Sequence, residues 1–156
     1  MAADKDRKTR ILFVDSGNIC SSVMAQYMMQ TMVDSIGAGD RFLIDSASTS
    51  KVRQNTDIYP QARKKLEEMN VPVGNHAARQ MLWEDYDRFD LLIGMNQTNI
   101  DDMRYIVGSD PDGKISKLSA FRNSDEDIED PWYTDDFDTA GRAIQEALMG
   151  LLNRLS

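Results

Sequence analysis

Short apolar runs alternate along the chain with longer stretches of helical periodicity, and few folds accommodate that order. RILFV (10–14), FLIDSAS (42–48) and FDLLIGM (89–95) have the length and the β-branched or aromatic content of buried strands, and SKLSAF (116–121) reads as a shorter fourth. Ser21 and Ser22 are placed to cap a helix whose apolar stripe runs Val23, Met24, Tyr27, Met28, Met32 and Ile36, with Gly37 and Gly39 ending it. YPQARKKLEEMN (59–70), with Pro60 near its start, and QTNIDDMRYI (97–106) read as further helices. TDDFDTAGRAIQEALMGLLNRL (134–155) predicts a long last helix whose acidic first turn suits the dipole. Strands separated by helices cannot pair through tight hairpins; each returns parallel to its neighbour over a crossover. The expectation is a single α/β domain over residues 1–156, a parallel sheet with helices on both faces.

Composition narrows the function classes. A chain of 156 residues can bury about two-thirds of its unfolded surface without a metal or disulfide. Charged residues at 28% and hydrophobic residues at 41% argue against disorder. The net charge of -8 disfavours nucleic acid, which needs a clustered basic surface. No apolar run approaches the roughly 20 residues of a membrane span, and MAADKDRKTR leads into only four apolar residues before Asp15, too few for a secretory leader. Cys20 is the one cysteine, which fits a reducing, cytoplasmic setting. The ten methionines read as core filler.

In open parallel sheets ligands bind beyond the carboxyl ends of the strands, where the strand order reverses. Residues 15–22 fall there if the first strand is central. Gly17 permits a left-handed or closely approached backbone, and the amides that follow end at a helix N-terminus, a nest of donors suited to an anion. A plain strand-to-helix turn is the competing reading. The stretch DSGNICSS nevertheless carries a carboxylate, Asp15, and no basic residue.

VDSGNICSSVMA (14–25) resembles the signature V-C-x-G-N-I-C-R-S-P-x-A of the low-molecular-weight protein tyrosine phosphatases. The likeness continues in family order through IDSAS (44–48), NHAARQ (75–80), FDLLIGMNQTNIDDM (89–103) and EDPWY (129–133). It implies a four-stranded parallel sheet in flavodoxin-like order, flanked by helices, with neither cofactor nor metal. The first loop, with Gly17, Asn18, Ile19, Cys20 and Ser22, corresponds to the one that wraps a phosphate dianion. Asp130 corresponds to the general acid, Trp132 and Tyr133 to the aromatic wall beside the substrate ring, and His76 to a residue that supports the loop.

The departures fall on the chemistry. Asp15 stands at the position of the cysteine nucleophile, Ser21 at that of the phosphate-gripping arginine, and Val23 at that of the helix-starting proline. Six positions on from Cys20 is Gln26, so the remaining cysteine restores no C-x5-R pair. Cys20 itself corresponds to the second loop cysteine, and a buried, inert thiol is expected. A carboxylate is a weak nucleophile toward phosphorus without a metal, and loss of a covalent nucleophile costs on the order of 10⁶ in rate. Against an arriving dianion the Asp15 charge opposes by about 2 kcal/mol in water at 4 Å and ~8 at an effective dielectric of 20.

The expectation is therefore a catalytically inactive pseudophosphatase, a binding or regulatory module in which Asp15 takes the loop amides for itself. The alternative is a Mg²⁺-dependent phosphatase or phosphoryl acceptor with Asp15 as nucleophile, since ILFVDSGN loosely resembles haloacid-dehalogenase phosphatases and response-regulator receivers. Gly17 stands where that pattern has its second aspartate, which leaves Asp130 to supply it. The partner expected is a protein, through a tyrosine-containing peptide or self-association, and neither nucleic acid nor membrane. Val52 and Arg53 occupy a loop where the family usually has an aromatic; Arg53 reads as a solvated surface residue, with restoration of some positive charge at the mouth as the other possibility.

Overall fold

The structure is a computed structural model that describes residues 7–156; residues 1–6, which carry part of the leader expectation, lie outside it. Four strands form one parallel sheet in the order β2-β1-β3-β4: β1 (Thr9–Asp15), β2 (Phe42–Ser48), β3 (Leu91–Gly94) and β4 (Ile115–Lys117). This is the flavodoxin-like order. β1 is central and pairs with β2 from Thr9↔Phe42 to Asp15↔Ser48. Asp15 is thus delivered to the carboxyl edge of the sheet beside the point where strand order reverses.

Among the described residues there are six α-helices: α1 (Ser21–Ser35), α2 (Pro60–Glu68), α3 (Asp85–Arg88), α4 (Gln97–Val107), α5 (Pro131–Thr134) and α6 (Phe137–Leu155). Ile11, Phe13, Ile44 and Ile93 face one side of the sheet and pack on Met24 and Met28 of α1, Leu66 of α2 and Leu148 of α6. Leu12, Val14 and Leu92 face the other, against Met81, Tyr86, Phe89 and the α4 residues Ile100 and Met103. Because β1 is covered on both faces, its sequence is a continuous apolar run rather than an alternating one. Among the described residues no helix is long and apolar enough to cross a membrane.

Element ends differ from the expected ones for local reasons. SKLSAF is a strand only as far as Lys117, and Leu118–Arg122 forms a 3-10 turn. β3 ends at Gly94, opposite Lys117, so there is no partner to extend the ladder. The α1 stripe is rotated from the expected line: Ala25, Met29 and Val33 are buried with Val23, Met24 and Met28, whereas Ile36 lies past the last helical residue and is 59% exposed. Neither serine caps α1; Cys20 holds that position without a side-chain cap, and both hydroxyls are engaged in the loop that precedes the helix.

Candidate functional site

β1 hands the chain to α1 through residues 16–20, and the loop closes on Asp15. Asp15 is 3% exposed. Its Oδ1 accepts the Asn18 amide at 2.6 Å, and its Oδ2 accepts the Ser22 amide at 2.9 Å and the Ser21 hydroxyl at 3.0 Å. Bonds of this charge-assisted kind are worth roughly 1.5–3 kcal/mol each. Two amides and one hydroxyl of the loop are therefore directed at a carboxylate of the chain itself.

The left-handed residue of the loop is Asn18, with φ of 59°, and not Gly17. Asparagine tolerates that region, and here its side chain is held at both ends: Nδ2 donates to Ser22 Oγ at 3.0 Å, and Oδ1 accepts the Arg79 amide at 3.2 Å. His76 Nε2 donates to the Asn18 carbonyl at 2.6 Å, so the sole histidine braces the loop from outside. Arg79 is fixed in turn by the buried Asp85, at 3.1 Å, and by Asp45, at 3.4 Å. Neither Arg79 nor Asp85 carries a sequence signal of this role; the pair is brought under the loop by the fold.

Above the loop is a cavity of about 230 Å³ bounded by Asp15, Gly17, Cys20, Arg53, Asp130 and Trp132, among others. Asp130 caps α5, its Oδ1 accepting the Trp132 amide at 3.0 Å, with Pro131 in the first helical position. Burial pushes the Asp130 carboxyl above its ordinary range; the Trp132 amide opposes this, and the Asp15 charge adds to it. Trp132 is held edge-on against Tyr59, centroids 4.8 Å apart, and Tyr59 stacks on Phe137 at 6.1 Å. Tyr133 is 81% exposed at the rim.

Two side chains of the mouth differ from a simple surface picture. Arg53 is half-buried, with its guanidinium carbon 4.7 Å from the Trp132 ring centroid. A Cβ at Gly17 would meet the Arg53 stem at 3.5 Å, so that stem lies along the loop backbone. The expected solvated arginine is instead part of the cavity wall, since the Trp132 face offers it a cation–π seat. Cys20 is buried; desolvation raises its thiol pKa far above the ordinary value, with the charges of Asp130 and Asp15 adding and Arg53 opposing. It remains a protonated, poorly nucleophilic thiol. Among the described residues no group of three or more His, Cys, Asp or Glu is gathered to hold a metal ion.

The family model of the low molecular weight phosphotyrosine protein phosphatases matches residues 10–156. The chain belongs to that family. A low molecular weight phosphotyrosine protein phosphatase of Dictyostelium discoideum is 27% identical over 99% of this chain and 98% of its own length. The low molecular weight protein-tyrosine-phosphatase PtpA of Staphylococcus haemolyticus is 31% identical over 92% and 91%. The crystal structure of YfkJ from Bacillus subtilis is similar with a TM-score of 0.93 at 27% identity, covering 97% of both chains.

In this member of the low molecular weight phosphatases, Asp15, Gly17, Ile19, Cys20, Asp130, Trp132 and Tyr133 line one cavity. Asn18, Ser21 and Ser22 lie beneath it, buried, and bond to Asp15 or to one another. Ser21, where the signature has its arginine, is turned inward to the carboxylate. A wider depression of about 950 Å³ beside Leu43, Arg79 and Phe89 contains none of the expected site residues.

Proposed function

We propose that this chain is a catalytically inactive member of its family, a pseudophosphatase that serves as a binding or regulatory module in the cytoplasm. The observation that carries this reading is the Asp15 carboxylate, both of whose oxygens are occupied by loop donors, Asn18 and Ser22 amides and the Ser21 hydroxyl. A phosphate would have to approach that carboxylate without the arginine that the family signature provides. The protonated Cys20, on the cavity wall, offers no replacement thiolate.

The second reading, in which Asp15 takes up a phosphoryl group with Mg²⁺, draws on Asp130, which borders the same cavity. It requires Asp15 to leave three buried donors before it can attack. Hydrolysis of para-nitrophenyl phosphate, with and without Mg²⁺, separates the readings when measured on the wild type and on Asp15→Cys/Ser21→Arg. Turnover confined to the double variant supports the pseudophosphatase. Mg²⁺-dependent turnover by the wild type supports the second reading instead.

A further inference from the structure

The residues around the mouth reverse the charge preference that a phosphate loop ordinarily has. The Asn18 and Ser22 amides and the Ser21 hydroxyl are directed at Asp15, whose carboxylate borders the cavity where an anion would otherwise sit. Asp130 adds a second carboxyl on the cavity wall; its Oδ1 is used by the Trp132 amide, and its Oδ2 makes no hydrogen bond among the described residues. Trp132 contributes an aromatic face, 39% exposed and held in place by Tyr59. One cation already uses that face: Arg53 sits 4.7 Å from the ring centroid, and its guanidinium makes no ion pair or hydrogen bond among the described residues. A guanidinium lying on Trp132 without an ion pair shows that this ring face accepts such a group.

We propose that this cavity binds the unmodified guanidinium side chain of a basic segment on a partner protein. The incoming group stacks on Trp132 and donates to Asp130 Oδ2, while Arg53 gives up the ring face and, with its stem still beside Gly17, swings out to solvent. A cavity of about 230 Å³ holds one such side chain and leaves the partner backbone at the rim, beside Tyr133. The net charge of -8, which repels a polyanionic partner, attracts a basic one from a distance. The inference rests on the reading of Asp15 as the loop's own anion, and it names the ligand chemistry of the site that this reading leaves behind.

The test is a titration of the full chain, ¹⁵N-labelled, with Nα-acetyl-arginine amide and separately with Nα-acetyl-phosphotyrosine amide. Trp132 and Trp83 are the two tryptophans, and Trp83 lies outside the cavity, so its indole signal is an internal reference. The arginine derivative is expected to shift the Trp132 indole and spare Trp83. Arg53→Ala, which removes the resident cation, is expected to tighten binding about ten-fold, and Asp130→Asn to weaken it about ten-fold. Arg53→Gln, which keeps most of the stem, replaces the alanine variant if that one does not fold. An unmoved Trp132 indole, or dissociation constants unchanged by both substitutions, overturns the guanidinium site and leaves the account of Asp15 standing. Shifts of the Gly17 and Asn18 amides by the phosphotyrosine derivative overturn that account itself.

Discussion

The Asp15 carboxylate accepts the Asn18 amide at 2.6 Å, across the turn where a family member would seat phosphate oxygens. Asp15 belongs to the strand and Asn18 to the loop, so the bond fixes the loop to the sheet edge without an external ligand. Asp15→Ala is expected to remove roughly 2–5 kcal/mol of stability, because it leaves buried donors unpaired. It also opens the nest. Inorganic phosphate should then raise the melting temperature of the variant and leave that of the wild type unchanged, as differential scanning calorimetry will show.

Asp130 gives a prediction with a definite sign. Burial pushes its carboxyl up, the Trp132 amide opposes, and Asp15 adds to the rise. The folded state therefore holds the Asp130 proton more tightly than the unfolded chain does. Its contribution becomes unfavourable as pH rises from the unfolded value, near 4, through the folded one. Asparagine keeps the cap on α5 and cannot ionise. Asp130→Asn is expected to be more stable than the wild type at neutral pH, with the difference vanishing below about pH 4 in thermal melts followed across pH.

The Cys20 thiol should be silent in the native protein. Burial and two neighbouring carboxyls disfavour its thiolate. Alkylation by iodoacetamide at neutral pH is expected to be at least about a hundred-fold slower in the folded protein than in denaturant. A native rate close to that of a free thiol would mean that the loop opens readily.

A close approach at the far end of the core gives a stability test independent of the site. A Cβ on Gly150 of α6 would overlap the carbonyl oxygen of Phe121, in the 3-10 turn after β4. Backbone, not a movable side chain, is in the way. Gly150→Ala should cost about 1–3 kcal/mol in chemical denaturation, against the gain that alanine normally brings to a helix interior.

Much of the fold was legible because its periodicity is simple. FLIDSAS coincides with β2 since all seven of its residues have a partner on β1. SKLSAF was cut short because its strand could extend only as far as β3 supports it. The bonding of Asp15 follows from chemistry visible in the sequence: an acid placed at the head of an amide nest takes amides from it, here those of Asn18 and Ser22. Arg53 on Trp132 was not visible, since a turn and the short helix α5, distant in sequence, have to meet before the ring face is available. Nor was the left-handed Asn18, where the more permissive neighbour Gly17 drew the assignment; what decides it is the pair of side-chain bonds that only asparagine makes.

The most direct test of the central claim is isothermal titration of the wild-type protein with inorganic phosphate. A loop filled by its own carboxylate predicts no saturable heat up to about 10 mM ligand, where a site with a millimolar dissociation constant would already be mostly occupied. One-to-one binding in the submillimolar range would show that the Asn18 and Ser22 amides are free to hold a dianion, and would contradict it.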